Sequence, residues 1–255
     1  MFDLNKLADY LSKLLDTASF SDYCVNGIQV EGQSSISKIV TGVSASQRII
    51  EAAIERQAQA VMLHHGLFWK NDPHPMALTG IMKDRIKLLL DNDISLLGYH
   101  LPLDAHQDLG NNALIGKALE LENIIFIPVS DIDNPIAAVG DLSEPISFES
   151  FREKADEILD TNGLGLDFNK REIKRIFILS GGGGRFYQDA AEAGADLMIT
   201  GELTEQNVRA AEELEISLYA AGHYNSEKWG IKALGEHLRH KFDLEVEFVD
   251  IPNPV

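Results

Sequence analysis

The chain has 255 residues, of which 45% are hydrophobic and 24% are charged, a composition typical of a globular protein with one large domain or two ordinary ones. Forty Asp and Glu residues against 22 Lys and Arg residues give a formal net charge of −18. This charge argues against extended nucleic acid on the outer surface, since such binding needs cationic side chains, and against electrostatic docking on an anionic membrane. The binding of small phosphorylated molecules is still compatible with this negative charge if metal cations lie between the protein and the phosphate.

The N-terminal segment predicts an amphipathic helix rather than a targeting signal. Asp3 is a favourable N-cap residue, and leucines at helical spacing follow it with charged residues between them. No apolar run approaches the roughly 18–20 residues that a membrane-spanning helix needs. The single cysteine, Cys24, excludes an internal disulfide. We therefore expect a cytoplasmic protein with no membrane partner.

Strand and helix patterns alternate along the chain. Continuous apolar runs at 39–44, 60–63 and 94–99 are separated by helical stripes at 47–56 and 81–90. Such alternation predicts parallel strands with helices on the sheet faces, an α/β architecture. The apolar runs show no polar alternation, which is typical of buried parallel strands.

An internal repeat is visible at a shift of 137 residues. The shift places Ile39 on Ile176 and Ala60 on Leu197, and 94–96 resembles 216–218. Short β-α-β units can look alike by chance, but the shared order of elements favours a duplication. We expect two similar α/β lobes with mainly parallel sheets flanked by helices. The first lobe would cover residues 1–128 and the second 129–255, and the two can intertwine.

Histidines follow the apolar runs, at strand ends where open α/β sheets bind ligands. His64 and His65 come directly after the run at 60–63. Adjacent histidines on a turn can point in different directions and serve two metal ions. Histidines that cap a helix or fill the core are the alternative.

His100 and Asp104 follow the run at 94–99, and a histidine with a carboxylate is a usual donor pair for zinc, manganese or iron. Pro102 disfavours helical backbone at Leu101, so we expect a loop here. A hydrogen-bonded pair without metal is the alternative.

His223 and Glu227 repeat this spacing after the strand predicted at 216–220. A helical stripe follows, so Glu227 lies near a helix N-terminus, where the dipole stabilises a carboxylate. Capping alone would also explain it. The remaining histidines, for which we expect no ligand role, are His74, His106, His237 and His240, the last two on the surface of the final helix.

If the two sheets face each other, six nitrogen and oxygen donors meet: His64, His65, His100, Asp104, His223 and Glu227. Six such donors without cysteine suit a two-metal site rather than a closed structural zinc site. Zn, Fe, Mn and Ni all accept these ligands, so the pattern leaves the metal open.

Two further features lie in the second half. The glycine-rich segment 180–184 follows a predicted strand and either approaches a phosphate or makes a tight turn. It lacks the Walker pattern. Glu202 occupies the repeat position of His65 and is our candidate catalytic residue, either as a general base or by orienting a ligand histidine.

Five segments, in this order, resemble the NIF-three-like family, whose members include proteins called GTP cyclohydrolase 1 type 2 homolog: 62–69 (MLHHGLFW), 98–104 (GYHLPLD), 110–113 (GNNA), 199–202 (ITGE) and 221–223 (AGH) with Glu227. The resemblance covers essentially the whole chain. It implies two similar α/β lobes, a dinuclear metal centre held by the six donors above, and a toroidal homohexamer built as a trimer of dimers. The segment at 129–173 lacks the inserted domain of longer members, so the chain resembles the compact form.

The leading hypothesis is a metal-dependent hydrolase with two divalent transition-metal ions per chain, acting on a nucleotide or another phosphorylated small metabolite. A ring-shaped metal-binding adaptor or metallochaperone without turnover is the alternative, because ligand residues indicate metal binding and not catalysis. A cavity beside the metals with room for a purine ring would favour the enzyme.

Overall fold

The computed structural model describes residues 1–72 and 77–254, which form a mixed α/β protein. In chain order, the strands are β1 (Phe2–Asp3), β2 (Gly27–Val30), β3 (Ser35–Ile36), β4 (Lys38–Ser44), β5 (Ala60–His65), β6 (Ser95–Gly98), β7 (Glu122–Val129), β8 (Ile132–Ile146), β9 (Leu164–Leu166), β10 (Ile173–Leu179), β11 (Leu197–Thr200), β12 (Ser217–Ala220) and β13 (Glu245–Phe248). The α-helices are α1 (Leu4–Leu14), α2 (Gln47–Glu55), α3 (Gly80–Asp91), α4 (Leu101–Asp104), α5 (Asn111–Ala118), α6 (Phe148–Leu159), α7 (Tyr187–Glu192), α8 (Glu205–Glu213) and α9 (His223–Phe242). Short 3-10 helices cover Thr17–Ser19 and Gly181–Phe186.

The first of two compact units contains residues 1–103 and 230–251. Its main sheet has the order β13-β4-β5-β6-β2, and every pairing is parallel except that of β2 with β6. Val40, Val61 and Leu96 lie side by side across its central strands and are buried with the apolar face of α2. Burial on this scale explains the uninterrupted apolar runs of the sequence.

The second unit contains residues 104–229 and 252–255, and its sheet has the order β7-β8-β10-β11-β12-β9. Strands β10, β11 and β12 are parallel, whereas the pairings β7–β8, β8–β10 and β12–β9 are antiparallel. The expectation of mainly parallel sheets therefore describes the first sheet but only the centre of the second. The strands of the β7–β8 hairpin contain apolar runs at 124–127 and 136–139, but an apolar run does not reveal whether its strand pairs in parallel or antiparallel, and the register here is irregular.

The two sheets share a repeated centre. In the first, Ile39 pairs with Ala60, which pairs with Ser95. In the second, Ile176 pairs with Leu197, which pairs with Ser217. These are the residues that the 137-residue shift and the 94–96 match superimpose, so the repeat extends to strand register. This agreement supports the predicted duplication.

The compact units differ from the lobes predicted at 1–128 and 129–255. The chain passes between the units after Leu103, after Trp229 and after Ile251. The physical reason is that β13 forms a parallel ladder with β4, which joins the C-terminal half of α9 to the first unit. Asp104, assigned to the first lobe from the sequence, consequently belongs to the second unit.

Of two predictions that concern the starts of α1 and α4, one is confirmed and one is wrong. The Asp3 side chain caps α1 by accepting a hydrogen bond from the Lys6 backbone N–H at 2.9 Å. The loop predicted at Leu101 is wrong, because 101–104 forms the short helix α4. Pro102 is tolerated there since it lies in the first turn, where its missing N–H has no intrahelical partner.

Among the residues described, no helix combines the length and apolar character that crossing a bilayer requires.

Candidate metal centre

Three histidines of the first unit converge at the carboxyl ends of two neighbouring strands. His64 and His65 end β5, and His100 follows β6. Because β5 and β6 are parallel, with Leu63 opposite Gly98, both ends lie at the same edge of the sheet. One ligand nitrogen from each of the three rings lies within 4.8 Å of the others, a spacing that fits a shared cation.

Each of these rings is held through its Nδ1 atom. His64 Nδ1 donates to the Tyr99 carbonyl oxygen at 3.0 Å, and His100 Nδ1 donates to a carboxylate oxygen of Asp22 at 3.0 Å. His65 Nδ1 lies 2.9 Å from the Ser44 hydroxyl. With Nδ1 engaged, Nε2 is the nitrogen that can bind a metal ion, as is usual for metal-ligating histidines.

Asp22 is a residue that the sequence patterns missed. It is 3% exposed and accepts hydrogen bonds from His100 Nδ1, from the backbone N–H groups of Cys24 and Leu101, and from the Asn26 amide, at 2.9–3.0 Å. Burial alone would raise the pKa of Asp22, but these hydrogen bonds and His100 hold it below its usual value. The residue precedes β2 and follows no apolar run, so no strand-end signal marks it.

In the second unit, His223 begins α9 and Glu227 lies one turn further along. His223 Nε2 lies 3.0 Å from Glu227 Oε2, and its Nδ1 lies 3.1 Å from Glu202 Oε1. Burial opposes protonation of His223, but the hydrogen bonds and charges of the two glutamates outweigh it and raise its pKa to about 9. Positive charge is thus favoured at this position, whether a proton or a metal ion supplies it.

The remaining predicted ligand, Asp104, is held by Asn111, the first asparagine of the 110–113 motif. Asn111 donates to Asp104 Oδ1 at 2.7 Å, and both side chains are buried. Asn112 donates to the Ile136 carbonyl oxygen at 2.9 Å and accepts from the Ser180 backbone N–H at 2.8 Å. This motif therefore holds a carboxylate and anchors the start of the glycine-rich segment.

The glycines of 180–184 allow the backbone to approach the carboxylate cluster closely. A Cβ atom at Gly181, whose φ is +57°, would lie 2.0 Å from Glu227 Oε1 and 3.0 Å from His223 Nε2. The Gly181 backbone N–H donates to the Ser226 hydroxyl at 3.0 Å, and its carbonyl oxygen accepts from the Glu202 N–H at 3.1 Å. Of the two interpretations left open by the sequence, the positive φ of Gly181 and these contacts favour the tight turn over a phosphate site.

The other histidines have different surroundings. His106 Nδ1 accepts hydrogen bonds from the backbone N–H groups of Asp108 and Leu109 at 3.1 Å, which is a turn-stabilising role. His240 is exposed, as expected. The expectation of a surface position is wrong for His237, which is half-buried, stacked on Tyr10 and hydrogen-bonded to its hydroxyl. His74 lies outside the described residues.

The structure thus brings His64, His65 and His100 together in the first unit, and His223, Glu227 and Glu202 together in the second. Buried imidazole and carboxylate groups without thiolate match the preferences of divalent zinc, iron, manganese or nickel. A buried carboxylate also needs a compensating positive charge. The fold and these clusters define the chain as a mixed α/β protein with groups that could hold a metal ion.

Comparison with known proteins gives the family. The chain matches Duf34/NIF3 (NGG1p interacting factor 3) over residues 2–254 and belongs to this family. A Yersinia pestis protein called GTP cyclohydrolase 1 type 2 homolog is 43% identical over 250 residues, which cover 98% of each chain. A solved structure described as protein ybgI, of unknown function, superimposes with a TM-score of 0.93 at 39% identity and full coverage of both chains. A structure from Thermus thermophilus gives a TM-score of 0.87 at 29% identity, again over both full chains.

Proposed function

We propose that the chain binds two divalent transition-metal ions and uses them to hydrolyse a nucleotide or another phosphorylated small metabolite. The proposed ligands are His64, His65, His100, Asp104, His223 and Glu227. The observation that carries the proposal is the common arrangement of the four histidines, each of which has its Nδ1 atom engaged by an oxygen of the protein. Purely structural histidines have no reason to share this orientation, whereas metal ligands do.

The charges of the donors support divalent ions. His64, Asp104 and Glu227 are almost fully buried, and two buried carboxylates are costly without cations beside them. In the metal-free protein a proton on His223 meets part of this need, as its raised pKa shows. When bound, a pair of divalent ions supplies Lewis acidity, which lowers the pKa of water and stabilises developing negative charge.

The chain's own residues would orient the ligands and handle protons. Asp22 and the Tyr99 carbonyl oxygen hold His100 and His64 in fixed tautomers. Glu202 accepts from His223 Nδ1 through Oε1, and its side chain is 46% exposed. We propose that Glu202 positions His223; proton transfer by its solvent-facing carboxylate is the alternative, and the two are distinguishable by mutation.

The substrate class follows from the relatives and from the chemistry of the donors. Relatives at about 40% identity are called GTP cyclohydrolase 1 type 2 homolog, which points to nucleotides. Metal cations would let a chain with net charge −18 attract such anions.

The test combines metal analysis with a turnover screen. Protein purified without chelator is expected to hold close to two metal equivalents per chain and to turn over at least one compound among nucleotides, phosphodiesters and small amides. A double variant, His65→Ala with Glu227→Ala, should lose both metal and turnover, whereas the exposed His240→Ala should keep both. Less than one equivalent of metal would refute the two-metal proposal. Full metal loading with inactivity across the panel would favour the non-catalytic adaptor.

The family resemblance also leads us to propose a toroidal homohexamer, a trimer of dimers. Light scattering coupled to size-exclusion chromatography tests this directly: six times the 28.2 kDa chain mass is expected, and a monomer or dimer at micromolar concentration would contradict it.

A further inference from the structure

A cavity of about 420 Å³ lies in the first unit beside the histidine cluster. Its walls are mostly apolar, with a few polar groups, and include Val25, Phe68, Trp69, Met82, Lys70 and Thr79. Cavities of this size with apolar walls and few polar groups are typical of small-molecule sites.

Trp69 lines the cavity and also lies beside two histidines of the cluster. Its ring centroid lies 5.9 Å from that of His65 and 5.2 Å from that of His100. The indole N–H donates to the Gly66 carbonyl oxygen at 3.1 Å, which fixes the orientation of the ring. A molecule in the cavity would therefore contact Trp69 immediately next to two of the proposed metal ligands.

Tyr23 packs against the Trp69 ring but does not itself line the cavity. Its ring centroid lies 5.6 Å from that of Trp69 and 5.0 Å from that of His100, and the residue is 43% exposed. The backbone between them is paired, because Lys70 N–H donates to the Tyr23 carbonyl oxygen at 2.7 Å and Val25 N–H donates to that of Phe68 at 3.1 Å. These backbone hydrogen bonds and the Tyr23 ring help to hold Trp69 in place, so that the indole can present a stacking surface to the cavity.

Among the described residues that line the cavity, the charges do not favour a phosphate group. Lys70 donates through Nζ to the Asp22 carbonyl oxygen, and the negative charge of Asp72 offsets the positive charge of Lys70. A flat, uncharged ring with apolar faces fits this lining, and aromatic side chains stack on nucleobases regardless of their sequence identity.

We infer that this cavity binds the purine ring of the substrate by stacking on Trp69, with the remainder of the molecule directed to the histidine cluster. The inference deepens the proposed function by assigning the recognition of the base to the first unit alone. Since neither the cavity nor the aromatic pair includes a proposed ligand, binding of the ring should not require metal.

The test uses metal-free protein and the fluorescence of Trp69. The chain contains two tryptophans, so Trp229→Phe leaves Trp69 as the sole reporter. Adenosine and inosine, which carry no phosphate, are titrated against ribose 5-phosphate. We expect saturable quenching by the nucleosides and none by the sugar phosphate. Tyr23→Ala, which removes the ring packed against Trp69, should weaken nucleoside binding but by less than Trp69→Leu does, whereas Leu164→Ala, an exposed leucine of the second unit, should leave it unchanged.

Calorimetry with Trp69→Leu separates this inference from the proposed function. This variant should lose nucleoside binding while its metal content equals that of the wild type. Absence of saturable nucleoside binding to the wild type, or unchanged binding to Trp69→Leu, would overturn the inference even if two metals are present. Nucleoside binding by protein that contains no metal even when purified without chelator would support the inference and refute the two-metal proposal.

Discussion

The Asp22 carboxylate accepts a hydrogen bond from His100 Nδ1 at 3.0 Å, although 78 residues separate the two in the chain. Both side chains are buried, and the same carboxylate also receives the backbone N–H of Leu101. Asp22 therefore fixes both the ring of His100 and the start of the helix that follows it. A carboxylate behind a metal-binding histidine usually raises its basicity and sets its tautomer.

Removal of this carboxylate should weaken metal binding. Asp22→Ala is expected to lower metal affinity by about 10–100-fold, the usual loss for such a partner. Asp22→Asn should lose less, because an amide oxygen can still accept from His100. Competition with a chromophoric chelator measures both, and Asp108→Ala, which alters an exposed carboxylate, is the matched control. Unchanged metal affinity in folded Asp22→Ala would show that Asp22 only stabilises the loop.

Substitution of Gly181 or Gly194 by alanine introduces the same kind of backbone strain, but only the first brings a Cβ atom against Glu227. Both have positive φ, +57° and +70°, so alanine at either should cost about 1 kcal/mol of stability. A Cβ atom at Gly181 collides with Glu227, whereas at Gly194 it meets open space. We expect Gly181→Ala to lose metal and Gly194→Ala to retain it. The backbone strain by itself should lower the melting temperature by a similar amount in the two variants. Equal metal content in the two variants would contradict the close packing of Gly181 on the cluster.

Two substitutions distinguish the possible roles of Glu202, which are to position His223 or to transfer a proton. Glu202→Gln keeps an oxygen that accepts from His223 Nδ1 but cannot take up a proton. If Glu202 positions His223, as we propose, Glu202→Gln should keep metal affinity and turnover within about threefold, while Glu202→Ala should lower metal affinity about tenfold or more. Turnover abolished in Glu202→Gln with metal content intact would identify a general base instead.

The thiol of Cys24 should be unreactive in the folded protein. Burial, reinforced by the charge of Asp22, raises its pKa to about 11. Since the thiolate is the reactive form, the raised pKa means that little of it exists at pH 8, and the fraction grows only as pH approaches 11. Alkylation by iodoacetamide, followed by mass spectrometry, should be far slower than in urea-unfolded protein at the same pH. Equal rates at pH 8 would contradict the buried position.

The sequence indicated most of the candidate site because the histidines proposed as ligands follow hydrophobic strands. His64, His65, His100 and His223 are each preceded by an apolar run, and parallel pairing then places the first three at one sheet edge. The internal repeat could be recognised because buried strands keep their register and their apolar character. Six candidate ligands could be chosen in this way without any structural information.

The parts that were missed depend on contacts that sequence spacing does not encode. Asp22 reaches His100 from a distant loop, and the clash that requires glycine at position 181 involves a helix more than 40 residues further on. The β7–β8 hairpin has apolar runs at 124–127 and 136–139, but these runs do not encode its antiparallel pairing. Pro102 disfavours helical backbone at Leu101 and so predicts a loop, but the first turn of α4 accommodates it.

Anomalous diffraction from crystals of protein purified without chelator, recorded at the Mn, Fe, Ni and Zn absorption edges, is the decisive test of the two-metal proposal. We expect two peaks per chain, about 2.0–2.2 Å from ligand atoms that include Nε2 of His64, His65, His100 and His223 and the carboxylates of Asp104 and Glu227. Crystals of Asp22→Ala should show weaker density for the ion bound to His100. Maps without a peak at these six residues, or with metal only at other side chains, would contradict it.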